Sequence, residues 1–154
     1  MRTDLRVPFL TLLTVTGLFI GCSKDEKIEV PDTVAALLTN NNVRVWRPFT
    51  DKVISSDTTV PIVDCITDDK YYLNSNGTIS LVQGDTKCDP AEPYRINGKW
   101  KYEPKRRWLM TEMIQDTGFV VYDTVEILKL AGDTLKVRTS TFRSYDTLRI
   151  YLAQ

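Results

Sequence analysis

Arg95-Ile96-Asn97-Gly98-Lys99-Trp100-Lys101-Tyr102-Glu103-Pro104-Lys105-Arg106-Arg107-Trp108-Leu109-Met110-Thr111 is the stretch that decides the fold. Trp100 and Tyr102 occupy one parity of the run and Lys99 and Lys101 the other. A period of two is the pattern of an extended strand with one buried and one wet face. Glu103-Pro104-Lys105-Arg106 interrupts the alternation with turn chemistry, and Arg107 to Thr111 resumes it, so the segment predicts a β-hairpin.

The same period runs outward in both directions. Toward the N-terminus, Lys70 to Leu73 and Thr78 to Val82 flank Asn74-Ser75-Asn76-Gly77, and Asn-Gly takes positive φ at little cost. Val43-Arg44-Val45-Trp46 starts an earlier strand that Ser55 to Thr59 interrupts, after which Pro61 discourages a central strand. Toward the C-terminus, Phe119 to Leu130, Thr134 to Thr139 and Thr147 to Leu152 read as strands. They place Val125, Ile127, Leu135, Val137, Leu148, Ile150 and Leu152 on alternating positions, with Ala131-Gly132-Asp133 and Ser144-Tyr145-Asp146 as turns. About eight turn-bounded strands with one apolar face predict an all-β, antiparallel sandwich or barrel, and closure is favoured because it leaves no edge exposed. A short helix is expected ahead of them, where Asp32-Thr33 precedes Val34, Leu37 and Leu38 and Asn40-Asn41-Asn42 follows. Asp-Thr recurs seven times at irregular spacing, which is turn and strand-end chemistry rather than a repeat unit.

The N-terminal segment has a different grammar. Arg2 and Arg6 precede a mostly apolar run from Val7 to Ile20 that ends at Gly21-Cys22, followed by Ser23-Lys24-Asp25-Glu26-Lys27. That is the order of a secretory signal peptide, and the run falls short of the roughly 20 residues a membrane crossing needs. Phe19-Ile20-Gly21-Cys22 resembles the lipobox of bacterial lipoproteins, in which the cysteine is acylated and becomes the first mature residue. The expectation is a cleaved leader at 1–21, a charged tether at 22–31, a single domain at 32–154 and attachment to the membrane through lipid on Cys22. Lys24-Asp25-Glu26 also resembles a surface-export signal of some Gram-negative lipoproteins, which implies an outer-membrane anchor displayed at the cell surface, with a periplasm-facing anchor as the alternative.

Removing Arg2, Asp4 and Arg6 from 20 basic and 20 acidic residues leaves 18 and 19, so the mature chain has no bulk attraction for nucleic acid. Three cysteines leave one over in an oxidising compartment, and lipidation of Cys22 consumes it. Cys65 and Cys88 can then form one disulfide; two free buried thiols are the alternative. With no histidine in the chain, a metal site on two thiolates is not expected.

Beyond patterning, the residues resemble a family. Asn42-Val43-Arg44-Val45-Trp46, Cys65 with Asp68-Asp69-Lys70-Tyr71-Tyr72-Leu73-Asn74-Ser75-Asn76-Gly77-Thr78, Cys88, Gly98-Lys99-Trp100, and the segment from Val125 to Val137 are similar to the lipocalin-like domain of bacterial lipoproteins. The resemblance covers roughly residues 40–140. It implies an eight-stranded up-and-down barrel, a tryptophan closing one end and a Cys65–Cys88 bridge.

Function is less legible. Without histidine the common general base is missing, so no enzyme and no cofactor are expected, and a carboxylate catalyst is a distant third reading. Asp64, Asp68 and Asp69 crowd near Cys65 and could offer oxygen ligands to a hard cation, although ladder-end and turn chemistry explains them more simply. Lys99-Trp100-Lys101-Tyr102 with Lys105-Arg106-Arg107-Trp108 interleaves cations and aromatics as polyanion binders do, against the plainer reading of inward aromatics and solvated bases. An eight-stranded barrel holds either packed side chains or one small ligand. The expected lining for a small apolar or amphiphilic ligand is Trp100, Tyr102, Trp108, Met110, Phe119 and Ile127. A packed interior would instead suit an accessory protein docking a partner in an envelope complex.

Overall fold

The computed structural model describes residues 33–139 and 146–154; the leader, Cys22 and the tether lie outside the described residues. The element order is α1 (Thr33–Thr39), β1 (Val43–Val53), β2 (Thr58–Val60), α2 (Asp64–Thr67), β3 (Lys70–Asn74), β4 (Thr78–Val82), β5 (Arg95–Glu103), β6 (Trp108–Ile114), β7 (Val120–Ala131), β8 (Thr134–Thr139) and β9 (Thr147–Ala153). Strands β3 to β9 are each antiparallel to their sequence neighbour, β1 pairs with β3 on one side, and β1 pairs with β9 on the other. Eight strands thus close into an up-and-down antiparallel barrel. β2 is a short ninth strand laid beside the far end of β1 through Asp51↔Val60 to Val53↔Thr58.

The hairpin at 95–111 forms as its alternation demands, with Trp100 opposite Thr111 and Tyr102 opposite Leu109. Its turn runs one residue further than the turn residues suggest, because Arg107 takes a left-handed conformation at φ 57° and β6 starts at Trp108. Gly98 has a specific task in this pair. A Cβ there would lie 1.9 Å from the backbone oxygen of Glu112, so only glycine lets β5 and β6 approach this closely. β2 and α2 are two elements the pattern does not announce; both are too short to carry a period.

α1 closes one end of the barrel. Asn40 and Asn41 follow it at φ 52° and 60°, the left-handed geometry that asparagine tolerates, and the Asn41 amide donates to the Ala36 carbonyl at 3.1 Å. Beneath the helix, Trp46 is fully buried and its Nε1 donates to the Leu38 carbonyl at 2.9 Å. The Arg44 guanidinium stacks over the Trp46 ring at 4.8 Å, donates to the Leu37 carbonyl at 3.0 Å and pairs with the Asp133 carboxylate. Leu38, Trp46, Leu73, Ile79, Leu109, Ile127, Leu135 and Val137 form the buried core of this end.

Cys65 on α2 is bonded to Cys88 in the loop after β4, with their Cα atoms 4.9 Å apart. The same loop is held from β3's approach by two carboxylates. Asp69 accepts from the Gly84 amide at 3.0 Å and Asp68 from the Asp85 amide at 2.8 Å. Burial, first of all, pushes the Asp69 carboxyl above its ordinary range, and the Gly84 hydrogen bond only partly offsets it.

Candidate functional site: the barrel lumen

Because cross-strand partners share a face, the register assigns every barrel residue to lumen or exterior. From the buried anchors Leu109, Ile127, Leu135 and Val137, the lumen-facing positions include Thr111 and Met113 on β6, Val121, Asp123 and Val125 on β7, and Arg149 and Tyr151 on β9. They surround a cavity of about 250 Å³ that is open on one side. Its closed end is apolar, built from Trp46, Leu73, Ile79, Leu109 and Leu135. The remainder carries Tyr71, Thr111, Asp123, Arg149 and Tyr151. That volume corresponds to about eight waters at liquid density, so an apolar wall of this extent encloses room for a small molecule.

The polar groups are organised around one ion pair. Arg149 grips Asp51 through two parallel hydrogen bonds, Nε to Oδ1 and Nη2 to Oδ2, both 2.8 Å. The pair bridges β1 and β9, the seam that closes the ring, where Asp51 and Arg149 are direct partners. A bulge between Pro48 and Thr50 shifts the parity of β1, so Asp51 reaches the same face as Trp46 although five positions separate them. Hydrogen bonding to Asp51, first of all, holds the Arg149 guanidinium further above its usual range despite the burial that opposes it. Tyr71 and Tyr151 meet edge to face at 5.8 Å between ring centres. Burial dominates in raising both phenols, with Asp123 adding to each and Arg149 opposing, so both stay neutral hydroxyls at physiological pH.

The six residues expected to line a ligand distribute differently. Trp100 and Tyr102 face inward and pack against the core, and the Trp100 Nε1 donates to the Asn74 carbonyl at 2.8 Å, tying it to the strand end rather than to open space. Ile127 is fully buried within the core itself. Trp108 and Met110 lie on the exterior, because they pair with Glu103 and Lys101 across the hairpin; a turn with an even number of residues, 104–107, sets even positions of β5 opposite odd positions of β6, so Trp108 and Met110 cannot share the face of Trp100 and Tyr102. Phe119 is 65% exposed at the β6–β7 turn. None of the six lines the cavity.

β9 also turns its apolar set outward. Leu148, Ile150 and Leu152 look like the buried set in sequence, yet Arg149 and Tyr151 pair with Val137 and Leu135 and so point inward. Sequence reasoning missed the site for this reason. The available signal was the pair of strand-interior polar residues, Asp51 and Arg149, of complementary charge on strands that a closed barrel makes adjacent.

The remaining candidates resolve as local structure. Among the described residues no group of three or more Cys, Asp and Glu side chains is arranged to hold a metal ion. Asp68 and Asp69 cap backbone amides, and the Asp64 carbonyl accepts from Thr67 Oγ1 at 2.8 Å. In the basic-aromatic run, Lys99 and Lys101 are solvated, Arg106 stacks over Trp108 at 4.5 Å on the exterior, and the Lys105 and Arg106 amides donate to the Glu103 carboxylate. Comparison with family models, curated proteins and solved structures brings no match to this chain.

Proposed function

We propose that the protein is a lipid-anchored binding protein of the bacterial outer membrane, a lipocalin-like barrel that carries a small apolar or amphiphilic molecule in its lumen. The observation that supports it is the open cavity of about 250 Å³, apolar at the α1 end and polar in the remainder. A barrel selected only for solidity would fill such a space with side chains, as protein interiors ordinarily do. The leader and lipobox supply the location, and anchoring at Cys22 would keep the barrel beside a reservoir of amphiphiles. The test is native mass spectrometry of the protein purified from its own membrane, followed by titration of the emptied protein with the apolar fluorophore N-phenyl-1-naphthylamine. A co-purifying small molecule and saturable 1:1 fluorescence support the reading; the absence of both refutes it.

One observation favours the docking role as a second reading. Ile114, Phe119 and Tyr122 expose 46%, 65% and 73% of their surface together at the β6–β7 hairpin. An apolar cluster at a hairpin tip is a contact surface in many proteins. Photo-crosslinking from position 122 in intact cells would show a single defined partner if docking is the role.

A further inference from the structure

We propose that the lumen selects an amine-bearing amphiphile, its ammonium head held by Asp123 and its tail against Trp46 and Leu135; this rests on the reading that the lumen binds a ligand. Charge decides the head group. Among the described residues lining the cavity, Arg149 is the only cation, and its charge is already met by Asp51 in a bidentate pair. Such a pair presents a dipole rather than a free positive charge, so a ligand carboxylate approaching the guanidinium's other face would meet Asp51 behind it. Asp123 remains. Its carboxylate accepts a local hydrogen bond from the Thr124 amide to Oδ1 at 2.8 Å, and among the described residues no ion pair involves it. It stands opposite Thr111 on β6, is itself exposed, and shares the cavity lining with Tyr71 and Tyr151.

Counted over the described lining residues, the polar part of the lumen therefore offers one carboxylate without an ion-pair partner, two neutral phenols, a threonine hydroxyl and aromatic rings. Carboxylate, phenol oxygen and ring face are each favourable to an ammonium group, and the net charge is unfavourable to an anion. A fatty acid has the right tail and the wrong head for this site.

The test is displacement of N-phenyl-1-naphthylamine at pH 7 by octylamine, 1-octanol and octanoate, which share a tail and differ in head charge. Octylamine is expected to displace the probe at a concentration at least about tenfold below octanoate, with octanol between them. Asp123→Asn, which keeps an oxygen for the Thr124 amide, should shrink the octylamine–octanoate gap to within about threefold while leaving octanol unchanged. Octanoate displacing as well as or better than octylamine, or a gap that Asp123→Asn leaves intact, would overturn the head-group assignment while the ligand-binding reading stands. Failure of the probe and of all three compounds to bind would remove both.

Discussion

The Asp51–Arg149 pair permits a quantitative test because it joins the first barrel strand to the last. The perturbation is a double-mutant cycle of Asp51→Ala, Arg149→Ala and the double variant. The side chains are 12% and 19% exposed, so the pair is shielded enough for its two charge-assisted hydrogen bonds to count. Removing one partner from such a pair costs about 3–5 kcal/mol when burial is complete, most of it from the charge left behind. The lumen opens to solvent beside Arg149, which brings the expectation for either single variant to about 2–3 kcal/mol. The double variant leaves no orphan charge and should cost about 2 kcal/mol less than the sum of the two. Urea unfolding of the oxidised protein, followed by tryptophan fluorescence and far-ultraviolet circular dichroism, measures all three. A coupling below about 0.5 kcal/mol, the range of independent sites, would mean that the seam is held by its backbone ladder alone.

Three further outcomes follow from particular residues. Gly98→Ala should destabilise by about 3 kcal/mol or more in the same unfolding assay, since the new methyl meets backbone rather than a yielding side chain; an unchanged midpoint would refute the close approach of β5 and β6. Tyr71 and Tyr151 have phenols raised above their unfolded value of about 10, so their contribution is complete below that pH and is lost above it, as the unfolded chain ionises and the native one does not. The wild type should therefore lose up to about 1.4 kcal/mol per pH unit for each phenol above pH 10, and a Tyr71→Phe/Tyr151→Phe variant should show a visibly shallower alkaline decline in melting temperature. Reducing the Cys65–Cys88 bond, whose partners are 23 residues apart, should lower stability by about 3 kcal/mol on the chain-entropy estimate, while an unaltered melting temperature with dithiothreitol would show the loop to be held by Asp68 and Asp69 instead.

The barrel was largely readable from the chain, and the lumen was not. Strand existence depends on a local period of two, which Lys99-Trp100-Lys101-Tyr102 and Thr134 to Thr139 display without ambiguity. Which parity faces inward depends on turns and bulges, and single residues decide it. The even length of the 104–107 turn puts Trp108 outside, and the bulge between Pro48 and Thr50 puts Asp51 inside. On β9 the apolar alternation of Leu148, Ile150 and Leu152 points the wrong way, since Arg149 is acceptable in the interior only once Asp51 is known to be its neighbour. That neighbour is 98 positions away in sequence, beyond the reach of any periodicity.

The seam between β1 and β9 also governs how the protein must come into being. Every other barrel strand finds a partner adjacent in sequence, so a growing sheet can zip hairpin by hairpin, but Trp46 to Val53 waits for Thr147 to Ala153 across most of the chain. Until then the half-made sheet has an open side at β1 and another at β8, with backbone donors that any extended chain could occupy. Topology therefore leads us to expect ring completion as the late event of folding, and the interval before it as the time when open strand edges are most exposed to other copies of the chain.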